Sequence, residues 1–386
     1  MTRRLTILVS GMVAAVPAQG GATWAVLQYV LGFARLGHDV YFVESLDADA
    51  LRPPGASLSA SANAGYCQQV MSRYGHGSRW ALMTRDGSET AGMAYEEVRR
   101  VAREATVLLD ISGTLTDQEL VQGIPIRIYL DVDPAFTQLW HHVQGVDMGF
   151  AGHTHLLTVG LNIGRPQCPV PTGGRIWSTS VQPVVLERWP VAGRIVHDGF
   201  TTVANWRGYG SIELDSVLYG QKAHSLRKFF ALPTLTPETL MLALAIHADE
   251  RADVKALREN GWTLLDPGPL TESPAAYQHF IQGSKAEFGV AKSGYVESRS
   301  GWFSDRSICY LASGRPVLAQ ETGFSNHLPT GAGLLAFDTL EDILRGIEQI
   351  NGDYPRHAAA ARALAEEHFD SDRVLSRLLQ DVGAAP

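Results

Sequence analysis

Residues 5–44 read LTILVSGMVAAVPAQGGATWAVLQYVLGFARLGHDVYFVE, and this stretch decides the fold. Leu5–Ser10 is a continuous apolar run of strand length. Gly20-Gly21 marks a loop, Ala22–Leu36 follows a helical pattern stopped by Gly37, and Asp39–Glu44 is a second strand. The unit is strand–loop–helix–strand. Arg3-Arg4 and the apolar run behind them also imitate a secretory leader. Cleavage near Ala18 would remove the first strand and leave its helix nothing to cover, so the strand reading is preferred.

The same alternation continues outward. Further strands are expected at Thr106–Asp110, Ile126–Leu130 and Leu156–Gly160, separated by helix-sized segments. Continuous apolar strands of this kind belong to a parallel sheet covered on both faces. Arg52–Ala64 is a Pro/Ser/Gly-rich loop, and Arg165–Pro183 is too rich in Pro and Gly for regular structure. The latter, continued through Arg194, reads as an interdomain connection. Alternation then restarts. Strands are expected at Phe200–Asn205, within Thr239–Ala248, at Trp262–Leu265, Glu287–Ala291 and Pro316–Ala319. Helices are expected at Ser225–Phe230, Val254–Asn260, Tyr277–Gly283, Ser304–Ser313, Leu340–Ile350, His357–Glu367 and Ser371–Gln380.

A chain of 386 residues exceeds one ordinary core, so two domains are expected: 1–190, 191–368 and a closing helix within 369–386. With 45% hydrophobic and 19% charged residues the composition is globular. The formal charge is −8, and Lys222, Lys228, Lys255, Lys285 and Lys292 all lie in the second half. Without a basic stripe, nucleic acid is not an expected partner. Cys67, Cys168 and Cys309 are scattered and odd in number, which suits a reduced, cytoplasmic protein. No apolar run reaches the roughly 20 residues that span a bilayer, which leaves peripheral membrane contact open.

Two stretches resemble GT-B glycosyltransferases, in particular the family-4-like and bacterial spore-maturation-type groups. Residues 20–44 look like the Gly-Gly loop, helix and R-x-G-H-[DE]-V strand with which such enzymes open. Residues 287–323, EFGVAKSGYVESRSGWFSDRSICYLASGRPVLAQETG, look like their donor-binding segment. The resemblance implies two doubly wound α/β, Rossmann-like domains facing across a cleft, with the C-terminal helix crossing back to the first. It also implies a nucleotide-diphosphate sugar as donor, no cofactor, and an acceptor that the chain does not identify. One departure stands out. The family-4 carboxylate that holds the donor ribose falls on Cys309, five residues before Gly314, while Arg306 matches the spore-maturation arginine.

Local chemistry fills in the rest. Ser304-Asp305-Arg306-Ser307 opens a helix after Gly301, and free amides at a helix start suit a diphosphate. A serine N-cap is the plainer reading. Asp305, one turn before Cys309, is the candidate for the ribose. Arg207, Lys222 and Lys292, each after a second-domain strand, are candidate cations for the departing diphosphate. Glu321-Thr322-Gly323, after a strand, resembles the acidic turn that contacts the donor sugar. In the first domain, Asp131-Val132-Asp133-Pro134 follows Ile126–Leu130. Its D-x-D spelling suggests a metal, but strand-end position and the resemblance favour Asp133 or Asp131 as the acceptor's base, with Asp110 competing. Turn formation before a proline is the plain alternative. His141-His142 and His153-Thr154-His155 lack the partners a metal site needs, and the latter pair is expected away from the cleft. Sugar transfer is the leading reading. A sugar-nucleotide epimerase or hydrolase of the same fold, and a non-catalytic nucleotide-sugar binder whose Arg207, Lys222 and Arg306 fail to converge, are the alternatives.

Overall fold

A computed structural model describes residues 4–384; Arg3 of the leader-like motif lies outside them. The apolar runs become two sheets. The first contains β1 (Thr6–Ser10), β2 (Asp39–Leu46), β3 (Trp80–Thr84), β4 (Thr90–Gly92), β5 (Val107–Ile111), β6 (Ile126–Asp131), β7 (His155–Thr158) and β8 (Ser178–Thr179). Its order is β4-β3-β2-β1-β5-β6-β7-β8, parallel except where β4 folds back on β3. The second contains β9 (His197–Asn205), β12 (Leu240–Ala245), β13 (Thr263–Leu265), β14 (Ser284–Gly289), β15 (Val317–Gln320) and β16 (Leu334–Phe337). Its order is β13-β12-β9-β14-β15-β16, all parallel, and β10 (Ile212–Leu214) with β11 (Val217–Tyr219) makes a separate hairpin.

Leaving β4 and β8 aside, both sheets run third-second-first-fourth-fifth-sixth. In such sheets the order reverses beside the first strand, and ligands bind beyond the carboxyl ends there. Those points are β1/β5 and β9/β14. The strands carry apolar side chains on both faces, with Leu8, Val9, Leu108 and Leu109 fully buried between helical layers.

The closing helix Ser371–Asp381 returns to the first domain. Val184 N donates to Phe369 O (2.7 Å), Ser371 N donates to Val184 O (3.0 Å), and Arg35 grips both oxygens of Asp372 (2.9 and 3.0 Å). Leu375 reaches Gly32 of helix Gly20–Arg35, where a Cβ would stand 2.5 Å from its methyl. Leu375, Leu378 and Leu379 are buried, about 2 kcal/mol each from apolar burial.

Two sequence expectations change. Residues 165–183 are not plain connector: Cys168, Val170 and Trp177 pack under Tyr129 and Phe150, and Ser178–Thr179 pairs with β7. The first sheet is also wider than the sequence analysis allowed, because β3 and β4 extend it beyond β2.

Candidate functional site

The carboxyl ends of β6 and β14 meet across the domain boundary. Asp133, two residues past β6, is the first-domain side of the contact. Lys292, three residues past β14, places its ammonium 3.2 and 3.1 Å from the two carboxylate oxygens. Tyr209 and Tyr295 donate their hydroxyls to the same carboxylate, one to each oxygen. Lys292 also lies 4.3 Å from the centre of the Tyr209 ring and 5.2 Å from that of Phe136, so aromatic faces cradle the cation. Burial first, then the charge of Asp133, raises both phenols and keeps their protons in place. Asp133 and Lys292 keep about a fifth of their side-chain surface exposed.

Asp131 and Asp110, the other two candidate bases, sit inside the first domain. Asp131 is fully buried; its oxygens accept from Asp133 N (3.0 Å), Thr137 Oγ1 (2.7 Å), Gln138 Nε2 (2.8 Å) and Thr158 Oγ1 (2.7 Å). It holds the turn that presents Asp133. Asp110, equally buried, accepts from the amides of Thr114 (2.8 Å) and Leu115 (3.2 Å) and meets His153 Nε2 at 3.2 Å. Thus His153 reaches across the sheet face to a strand end rather than lying idle at the amino edge. Neither carboxylate has a surface an acceptor could touch.

Of the four cations singled out, three group together and one leaves. Arg306 lies against Glu287 (2.5 Å) and Val203 O (3.0 Å) beneath the second sheet's switch point. Lys222 is buried with its ammonium on the carbonyl of Val290; burial first, then nearby Arg306, lowers its pKa. Lys292 adds to the positive field around it. Arg207 instead pairs with Glu250, away from this group. Glu287, fully buried on β14 with one oxygen unpartnered, was not singled out in the sequence. A carboxylate inside an apolar parallel strand was the available signal.

The turns expected to receive the donor are occupied by the first domain. Asn162, after β7, donates its side-chain amide to Arg299 O (2.8 Å) and accepts on Oδ1 from His327 Nε2 (2.8 Å). Its backbone amide donates to Ser300 O (2.9 Å). A Cβ on Gly301 (φ +74) would stand 2.9 Å from Asn162 N, and one on Gly323 (φ +96) 2.4 Å from its side-chain nitrogen. The two glycines therefore make room for Asn162 rather than for a ligand. Thr322 Oγ1 donates to Trp302 O (2.5 Å), and Glu321 Oε1 accepts from Gly323 N (2.5 Å). Glu321 remains half-buried at the end of β15.

The helix start at residues 304–307 is enclosed too. Ser304 is buried and caps the helix by accepting from Arg306 N (3.2 Å), and Ser307 is buried. Asp305 faces Trp24, Gln28 and Tyr277 around a gap of about 10 Å³, room for one water and not for a ribose. Gly20 and Gly21 lie against the second domain as well: a Cβ on Gly20 would meet Ser273 O at 2.2 Å, and one on Gly21 the Tyr277 ring at 3.0 Å. Glu44, not singled out earlier, accepts from the amides of Val13, Ala14 and Ala15 (2.9, 2.8 and 2.7 Å) and pins the loop beyond β1. Burial pushes it up to about 7 against those donors. Among the described residues no three His, Cys, Asp or Glu side chains cluster as metal ligands, and no helix is long and apolar enough to cross a membrane.

No protein-family model and no curated protein matches the chain. Solved structures do. An α-glucosyltransferase held with UDP and a 13-mer DNA containing an HMU base is 11% identical with a TM-score of 0.63, covering 99% of this chain and all of its own. HepE of Anabaena, held with UDP-glucose, is 13% identical with a TM-score of 0.58 over 99% of this chain and all of its own. AviGT4, a glycosyltransferase of avilamycin A biosynthesis, is 14% identical with a TM-score of 0.54 over 98% of this chain and 97% of its own. The fold is GT-B, two Rossmann-like halves.

Proposed function

We propose that this chain is a glycosyltransferase that moves a sugar from a uridine-diphosphate donor to an acceptor hydroxyl without a metal. The observation that carries the reading is Asp133 of the first domain meeting Lys292 of the second at the paired strand ends. Three of the fold's relatives were solved with UDP or a UDP-sugar, or are glycosyltransferases by name. Residues 1–190 would present the acceptor, 191–368 the donor, and the helix within 369–386 would couple them.

In this reading the donor diphosphate draws Lys292 away from Asp133. Lys222 behind it, its pKa lowered first by burial, is favoured in its charged form as the phosphates approach. Arg306 braces the strand end through Glu287, and Glu321 faces the donor sugar. Released from Lys292 but still held by the hydroxyls of Tyr209 and Tyr295, Asp133 takes the acceptor's proton while the new C1–O bond forms and the C1–O bond to the diphosphate breaks. Lys292 and Lys222 hold the charge that leaves. The scattered cysteines support a cytoplasmic setting, and the net charge of −8 speaks against a nucleic-acid acceptor.

The test is release of UDP from UDP-sugars, measured with and without an acceptor library and again after EDTA treatment. Acceptor-dependent release that survives EDTA supports the proposal. Free sugar or an epimer as the only product would favour the hydrolase or epimerase reading. Strict dependence on Mg²⁺ or Mn²⁺ would restore a metal role to Asp131-Val132-Asp133.

A further inference from the structure

Away from the Asp133–Lys292 contact, a groove of about 390 Å³ runs along the β7–β8 edge, closed by residues 327–328 and the closing helix. That volume is typical of sites that enclose small ligands, which run from roughly 300 to 1,000 Å³. Its floor is Leu157, Leu161, Leu328 and Leu378, flanked by the polar Ser178, Thr179 and Ser180. Its rim carries the guanidinium groups of Arg165, Arg373 and Arg377 against the carboxylates of Glu367 and Asp381.

The rim arginines are positioned but not neutralised. Arg165 Nε donates to Leu161 O (3.0 Å) and Arg373 Nη1 to Glu367 O (3.2 Å). Among the described residues neither has a carboxylate within 4.0 Å. Arg377, one turn on from Arg373, has only Asp381 at 3.8 Å. Anchoring one nitrogen to a carbonyl leaves the rest of each guanidinium fork free for an anion. Two further features point the same way. The wall at Ala365–Phe369 is a π-helical turn, a rare form found frequently at functional sites. On that turn His368 buries Nε2 without a hydrogen-bond partner.

We propose that this groove binds a phosphorylated amphiphile: an alkyl or isoprenyl tail along the leucine floor, its phosphate at the Arg165–Arg373–Arg377 rim. A free phosphate would waste the floor, and a neutral tail would leave the rim unpaired. Guanidinium forks match phosphate oxygens two at a time. Because the walls come from the first sheet, the closing helix and the 327–328 turn of the second domain, the bound ligand bridges both halves. The inference does not rest on the sugar-transfer reading.

Calorimetric titration with monomeric decyl phosphate tests it, beside inorganic phosphate, decyl maltoside, and vesicles containing phosphatidic acid. Decyl phosphate should bind saturably, with both other small probes roughly ten-fold weaker or more. Arg165→Ala/Arg373→Ala, at exposed positions, should weaken decyl phosphate by about the same factor with an unchanged melting temperature, and Arg→Lys at both should restore part of it. Vesicle binding lost in the same variant would place the amphiphile in a bilayer and support the site. Equal binding of decyl maltoside, unchanged affinity in the double variant, or vesicle binding without uptake of decyl phosphate would overturn it.

Discussion

The two domains touch at two kinds of seam. Asp133 and Lys292 meet through charge, with each partner about a fifth exposed and flanked by aromatic rings. Asn162 meets Gly301, Gly323 and His327 through shape and neutral hydrogen bonds. A competing anion can dissolve the first seam, because the partner it offers Lys292 is equivalent. Nothing charged can dissolve the second. The difference assigns the seams different work: the charged one responds to the donor, and the neutral one keeps the halves in register.

The largest effect should come from neither seam but from the pair behind them. Arg306→Ala leaves Glu287 buried and uncompensated, which costs roughly 3–5 kcal/mol. Chemical denaturation should show that loss, and Arg306→Met with Glu287→Leu should recover most of it. A stable Arg306→Ala protein with weakened UDP binding would instead return Arg306 to the diphosphate.

Breaking the charged seam should spare the fold and remove the chemistry. Lys292→Ala should lower kcat by about 10²–10³, as for loss of one group that stabilises developing charge, with an unchanged melting temperature. An active variant would remove Lys292 from the leaving-group role. Breaking the neutral seam should do the reverse. Gly323→Ala puts a methyl 2.4 Å from Asn162 and forces φ +96 on a side-chain-bearing residue, so stability should fall by roughly 1–3 kcal/mol. Asn162→Gly in the same chain should recover part of the loss, with the Arg299 carbonyl 2.9 Å from the same methyl and the positive φ keeping the rest; no recovery at all would mean that Asn162 is not what fixes Gly323.

Much of the architecture was legible because parallel strands buried on both faces spell continuous apolar runs. Thr6–Ser10, Ile126–Asp131 and His197–Asn205 all sit where such runs stand. Trp80–Thr84 carries an apolar run of the same kind, though it stands outside the expected strands. The site was half legible. Asp133 and Lys292 could be placed because each closes a strand, and position along the chain fixes which edge of the sheet they reach. Pairing could not, since Arg207 finds Glu250 and Arg306 finds Glu287 through contacts distant in sequence. The glycines misled for a physical reason. Gly301 and Gly323 do permit close approach, but sequence does not say whether a ligand or Asn162 is what approaches.

Asp133→Asn, followed by both UDP binding and sugar transfer, tests the central claim most directly. Asparagine keeps the shape and removes the charge that competes for Lys292. The account predicts UDP affinity equal to or tighter than that of the unaltered chain, together with transfer reduced by about 10²–10⁴ through loss of the base. Weakened UDP binding, or transfer at an unchanged rate, would contradict it.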